Sequence, residues 1–180
     1  QSGSFHSKLA MGYIDLYEIT KNDKYKKVAI NVCDYALKQQ TEEGRFISFN
    51  DSKNTHMHPH SYSAEGLLYV GIKLKISEYV ESTKKAVEWA LDNQLKEGGV
   101  PPIYISENNI FLKNERTDTL SQILRLSILL ISYDKLDKRY VDRIHKLKDR
   151  ILTFQEREGS QKGGMFYGNE EDGTRLNHIN

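Results

Sequence analysis

The chain has little of what would define it quickly. It carries one cysteine, three prolines and one tryptophan in 180 residues. A single thiol excludes an internal disulfide, and Cys33, set in an amphipathic stretch, reads as a small core residue. Neither sign of charge dominates: 26 basic side chains against 25 acidic ones leave a formal net charge of +1. The basic residues form no stripe interleaved with aromatics, so no nucleic-acid partner is expected. No apolar run approaches the roughly 20 residues a membrane helix needs, so no membrane partner is expected either. No segment reads as a signal peptide, and the chain opens on Gln1 rather than Met. The compartment therefore stays open, with the cytoplasm as the working expectation. Asn50-Asp51-Ser52 matches the glycosylation sequon, a pattern short enough to recur by chance.

What the chain does have is an internal repeat. Gln40, Gln94 and Gln155 each close a helix-like run, with Leu three residues earlier and Tyr fifteen residues earlier. A Gly-containing extended stretch follows each one. The runs at residues 24–40, 79–94 and 139–155 place apolar residues every three or four positions, with lysines and acids opposite. Each predicts an amphipathic helix with one wet face. The segments before them, residues 5–19, 61–74 and 119–133, are apolar nearly all round and should be buried on most sides. Gly12, Gly66 and Gly71 weaken helix propensity there, for which close helix packing is one reason.

The order is buried helix, short turn, amphipathic helix, long connection. The long connections should hold short strands at residues 45–49, at 103–105 paired with 110–112, and at 165–167 before an Asp172-Gly173 turn. Repeat units fall at about residues 4–59, 60–116 and 117–176, in a single domain of residues 1–180, and Asn177-His178 looks like the start of a fourth. The expected fold class is all-α: helical hairpins forming an α/α toroid, or an arc of one.

At this point the residues resemble the six-hairpin glycosidase-like (α/α) toroid superfamily. The carriers are GSFHSKLAMGYIDLYEIT, HPHSYSAEGLLYVG, the Leu-x-x-Gln-x-x-x-Gly ends and GGMFYG before Asn177-His178. Within it the chain is most similar to polysaccharide-related proteins near sugar epimerases, uronyl hydrolases and polysaccharide lyases. The resemblance implies a saccharide ligand, one that contains uronic acid, and leaves epimerisation, lyase cleavage and hydrolysis open. It also implies six hairpins where this chain shows about three. That points to a fragment of a longer toroid or to a homodimer.

In such rings the site lies at the mouth formed by the starts of the inner helices and the long connections. Catalytic candidates are therefore Glu65, His60 and Asp118, and substrate-binding candidates are His6, His58, Tyr62, Arg116, Gln122, Tyr167 and His178. Glu65 sits in an otherwise apolar helix, where a carboxylate must be paired, wet or functional, and Lys8 and Arg125 are its possible ion-pair partners. With Asp118 as a second carboxylate it would suit hydrolysis at a separation of about 5–10 Å. His56, His58 and His60 alternate; in an extended run they would point to one side and suit a metal. Hydrogen-bonding loop histidines are the plainer reading, and no cofactor is expected. Two rivals stand beside the carbohydrate-active reading. One is a non-catalytic helical-repeat module binding a glycan or peptide. The other is a terpene-cyclase-like domain, which predicts a dry aromatic cavity.

Overall fold

Six α-helices form where the hydrophobic spacing asks for them. The computed structural model describes residues 3–49 and 52–177. A 3-10 turn at Ser4–Lys8 leads into α1 (Leu9–Thr20), followed by α2 (Asp23–Leu37), α3 (Met57–Leu74), α4 (Ser77–Asp92), α5 (Thr117–Ser132) and α6 (Val141–Leu152). Lys21 and Lys75 end α1 and α3 in the left-handed conformation. Asn22 then caps α2 by accepting from the Lys24 N–H. Helices pack pairwise as α1 with α2, α3 with α4 and α5 with α6. α1 and α5 lie on either side of α3. The result is an arc of three hairpins, with α1, α3 and α5 inside and α2, α4 and α6 outside.

Burial on most sides holds for α3 but not for its neighbours. Eleven of its eighteen residues are buried, including Glu65. α1 buries only Ala10 and Ile14, and it leaves Leu9, Leu16 and Ile19 exposed. α5 exposes Ile128 and Ile131. The difference is positional: α3 has an inner helix on each flank, and α1 and α5 each have one. Of the three inner-helix glycines, Gly66 lies against the Ser7 carbonyl and Gly71 against Val80, whereas Gly12 faces open space.

The connections differ from expectation in detail. β1 (Thr55–His56) pairs with β2 (Ile103–Ile105), which pairs with β3 (Ile110–Phe111). β4 (Glu115–Arg116) pairs with β5 (Gly168–Asn169), which pairs with β6 (Arg175–Leu176). The strand expected at residues 45–49 is only a bridge from Phe46 to Gln40, and the one expected at 165–167 is a bridge from Met165 to Gln155, with the strand three residues later. The Gln turn accounts for both, because it folds the next residues back onto the helix end. α3 also starts at Met57 rather than at His60, since Pro59 fits a first turn whose N–H groups have no helical partner.

The repeated Gln side chains join the outer helices. Gln40 Nε2 donates to its own turn at the Gly44 carbonyl (2.7 Å) and to the Ser82 carbonyl in α4 (2.8 Å). Gln94 Nε2 donates likewise to Gly98 (2.8 Å) and to Arg143 in α6 (2.8 Å). Gly44 and Gly98 both have positive φ, and a Cβ on them would sit 2.5 Å from the Lys85 carbonyl oxygen and 2.6 Å from that of Lys146. Glycine is needed there for conformation and for contact. Gly159 also has positive φ (+74°) but open space around it. We predict that Gly98→Ala costs about 3 kcal/mol of unfolding free energy and Gly159→Ala about 1 kcal/mol, the difference being the helix contact. Urea denaturation of the two variants checks this, and equal losses would show that the close approach is not tight.

Candidate active site at the inner-helix starts

Two short strands deliver the site. β1 ends on His56 at the start of α3, and β4 ends on Arg116 at the start of α5. Two positions later come His58 and Asp118, each in the first turn of its helix. The repeat thus sets equivalent positions side by side, and the two side chains meet across the groove: His58 Nδ1 lies 3.0 Å from Asp118 Oδ2. Asp118 also accepts from Arg116 Nε (3.1 Å), from Arg116 Nη2 (2.7 Å) and from the Thr119 N–H (2.9 Å). Burial pushes the Asp118 carboxyl up, but the hydrogen bonds and charge of Arg116, the Thr119 N–H and His58 outweigh it and hold it below the usual carboxylate range. A carboxylate fixed in this way selects the His58 tautomer with the proton on Nδ1. Nε2 is then the nitrogen not committed to Asp118.

A cavity of about 540 Å³ opens in front of this pair, lined among others by His56, His58, Tyr62 and Arg116 and by the aromatics Phe5 and Phe49. Tyr62 packs on His58 (ring centroids 4.3 Å apart), and Lys8 Nζ lies 4.1 Å over the Tyr62 ring. Arg116 stacks on Tyr167 at 4.9 Å. His6 sits behind Phe5, with ring centroids 4.5 Å apart. Gln122 Nε2 is a looser neighbour of His58 at 3.4 Å. Burial first and Arg116 second push His56 below the usual imidazole value, so it is neutral at neutral pH. His178 lies outside the described residues.

Glu65 and His60 lie elsewhere. Glu65, one step further into the groove, is held from both sides: Lys8 Nζ donates to Oε2 at 2.5 Å and Arg125 to Oε1. It lines a separate cavity of about 230 Å³ with Met11, Leu68, Tyr69 and Arg125. The ion-pair alternative foreseen for this residue is thus met by both partners at once. His60 is fully buried and turned toward the outer layer. Its Nδ1 accepts from the Phe46 N–H (3.1 Å) and its Nε2 contacts the Ala86 carbonyl (3.1 Å), so the structure does not bring it to the mouth. The premise of an alternating histidine ligand set also fails, because the chain turns helical at Met57 and sends His58 and His60 to different faces. Among the described residues no group of three or more His, Cys, Asp and Glu side chains is placed to hold a metal.

The aromatic floor, Phe5 and Phe49, was not among the sequence candidates. Phe5 opens the first inner segment and Phe49 lies in the first long connection, positions at which no periodicity singles out an aromatic. Pro102 and Ile103, also in the lining, arrive through pairing of β2 with β1.

No family model matches the chain, and no curated protein matches it in sequence. Solved structures do match its fold. A polysaccharide lyase superposes with a TM-score of 0.77 at 15% identity, over 98% of this chain and 54% of that one. A sugar epimerase from a ruminal bacterium gives 0.77 at 12% identity, over 99% and 48%. An inactive variant of the α-1,6-mannanase GH76A of Salegentibacter sp. HEL1_6, in complex with α-1,6-mannotetrose, gives 0.73 at 16% identity, over 96% and 53%. The fold is that of part of an α/α toroid, and the chain spans about half the length of the solved structures it matches.

His60 makes a prediction about acid stability. Burial first, opposed by the Ala86 carbonyl and helped by Arg45, lowers its pKa from 6.5 to about 4. Between those values the unfolded chain takes up a proton that the folded chain does not. The stability is therefore fully present above pH 6.5 and is lost as pH falls toward 4. Between pH 7 and pH 5 this one residue should remove about 2 kcal/mol. Denaturation at both pH values, native against His60→Gln, checks it: the native protein should show the steeper loss, and equal losses would mean that His60 titrates normally.

Proposed function

We propose that the mouth binds a saccharide and transfers a proton on it, with His58 as the transferring group and Asp118 positioning it. The observation that carries this reading is the His58–Asp118 contact at 3.0 Å, backed by the Arg116 fork, at the wall of the cavity. A histidine oriented by a fixed carboxylate is suited to general acid–base work. Tyr62, against the same ring, is the second proton-transfer candidate. Phe5 and Phe49 offer faces for a sugar ring. Arg116 has five N–H donors and spends two on Asp118, so it retains donors for a carboxylate on the substrate. This supports a uronic-acid-containing saccharide.

The position of Glu65 bears on reaction type. Its carboxylate is engaged by Lys8 and Arg125 and lines a different cavity, so the mouth has one carboxylate behind it rather than a facing pair. That favours proton abstraction, as in epimerisation or β-elimination, over hydrolysis by two carboxylates. Glu65 then acts as a positioning residue that ties the first turn to α3 and α5. The charged rim also speaks for a saccharide over a terpene-type substrate. The similarity to a lyase, an epimerase and a mannanase with bound mannotetrose supports the substrate class and leaves the reaction to this site's own chemistry.

The test is turnover, read by NMR, on a panel of neutral and uronate-containing oligosaccharides in deuterated water. His58→Ala should abolish exchange or cleavage, and Asp118→Asn should lower it by on the order of 10²-fold while binding persists. His60→Gln should stay active. A protein that binds a glycan, turns over none and ignores His58→Ala would instead be a non-catalytic binding module.

A further inference from the structure

Gln122 stands behind His58 rather than in front of it. It follows Asp118 by one turn of α5, so both side chains lie on one face of the helix, and α3 repeats the spacing with His58 and Tyr62. His58 and Tyr62 line the cavity at the mouth, whereas Gln122 does not. The Gln122 amide instead meets the back of the imidazole: Nε2 lies 3.4 Å from His58 Nδ1, the same nitrogen that Asp118 Oδ2 approaches at 3.0 Å. The other end of the amide, Oε1, is buried and has no partner among the described residues. A buried polar atom without a partner calls for a physical reason.

The two neighbours make opposite demands on one nitrogen. Asp118 stays ionised and can only accept, so it requires the proton on Nδ1. An amide N–H aimed at Nδ1 requires a lone pair there instead. Both cannot be met at once. Asp118 is charged and is held in place by three hydrogen bonds, two from Arg116 and one from the Thr119 N–H, so its demand prevails over that of a neutral amide at the longer distance. Gln122 can meet the same demand by turning about its last bond, which exchanges two groups of nearly equal size. Oε1 then faces Nδ1–H and gains the donor it lacks. Nothing opposes the turn on the oxygen side, because Oε1 accepts from no group there.

We propose that Gln122 is a positioning residue for His58: its amide oxygen accepts from Nδ1–H beside Asp118, and the two acceptors together hold the tautomer that leaves the Nε2 lone pair for the substrate. This rests on the reading of His58 as the proton-transferring group and adds the residue that fixes its resting form. A neutral imidazole in water carries its proton mainly on Nε2, so the other tautomer has to be held by acceptors on the Nδ1 side. Two acceptors there also stay paired when Nε2 takes a proton from the substrate and when it returns one. The proton then moves at Nε2 alone, and neither Asp118 nor Gln122 has to rearrange. Gln122 thereby acts through His58 and needs no contact with the saccharide.

NMR of the ring nitrogens in histidine-labelled protein tests this, because the two tautomers give different nitrogen shifts. The His58 signals are those missing from His58→Ala. With the ring neutral, the native protein should carry the proton on Nδ1. Gln122→Leu keeps the bulk and removes the acceptor; it should shift His58 to a mixture of tautomers and lower kcat in proportion to the Nδ1–H form that remains, with KM unchanged. Gln122→Glu keeps an acceptor oxygen and should restore the native pattern. A native ring protonated on Nε2 would mean that the amide donates to Nδ1, and would overturn the proposal without any variant having to fold. A His58 tautomer unmoved in Gln122→Leu, or moved as far in Gln122→Glu, would overturn it as well. The tautomer is read on the free protein, so this outcome is separate from the proton-transfer reading, whose failure would show as turnover indifferent to His58→Ala.

Discussion

One amide per repeat sets the spacing on which everything else rests. The Gln side chain donates to its own turn and to the next outer helix, and the turn glycine lets that helix come close enough for both bonds to form. Removing the Gln side chain leaves two carbonyls without its donor, a cost of about 1–3 kcal/mol for each group. The joint is therefore stiff. Stiffness in the outer layer is carried to the inner layer because each inner helix is tied to its outer one by a short turn. α3 and α5 then stand in register, and residues sixty positions apart face each other. His58 meets Asp118, and Glu65 meets Arg125.

These two rungs answer the same electrostatic problem in different ways. In the lower rung Glu65 is buried, and two flexible cations from neighbouring elements neutralise it. A buried carboxylate with one partner removed is costly, so this rung holds the 3-10 turn, α3 and α5 together. In the upper rung the acid is half-buried, and Arg116 comes from its own segment with a planar two-point grip. That leaves Asp118 charged and immobile, with one lone pair directed at His58. The lower rung is closed on itself, one carboxylate between two cations. The upper rung instead ends in an imidazole that the carboxylate orients.

Much of the architecture was legible in the sequence because it repeats. The three Gln positions fixed the helix ends to within a few residues, and the Lys8, Glu65 and Arg125 relation followed from one carboxylate in an apolar helix. The strands were less legible. Two-residue strands have no periodicity to detect, and their positions follow from the Gln turn. The site was legible as a region and less so as a set of atoms. His58, Tyr62, Arg116 and Asp118 gather there as the helix starts implied. His60 was misjudged because two residues along a strand share a face, whereas two residues along a helix point about 200° apart. Sequence alone left undecided whether Met57 opened a helix or continued a strand.

That single turn of helix has consequences on both sides of α3. Had the strand continued, His56, His58 and His60 would share a face and compete for one ligand. With the helix begun at Met57, His58 faces the groove and His60 enters the joint between layers, where it accepts from Phe46 and contacts Ala86. Phe46 is the residue whose bridge to Gln40 folds the first turn back. His60 therefore braces the turn whose glutamine sets the spacing of the arc, and His58, two residues away, depends on that spacing to reach Asp118. A neutral buried imidazole in the joint and a second one facing the groove are the two outcomes of one helix start. Acid that protonates His60 would loosen the joint on which the geometry of the groove depends.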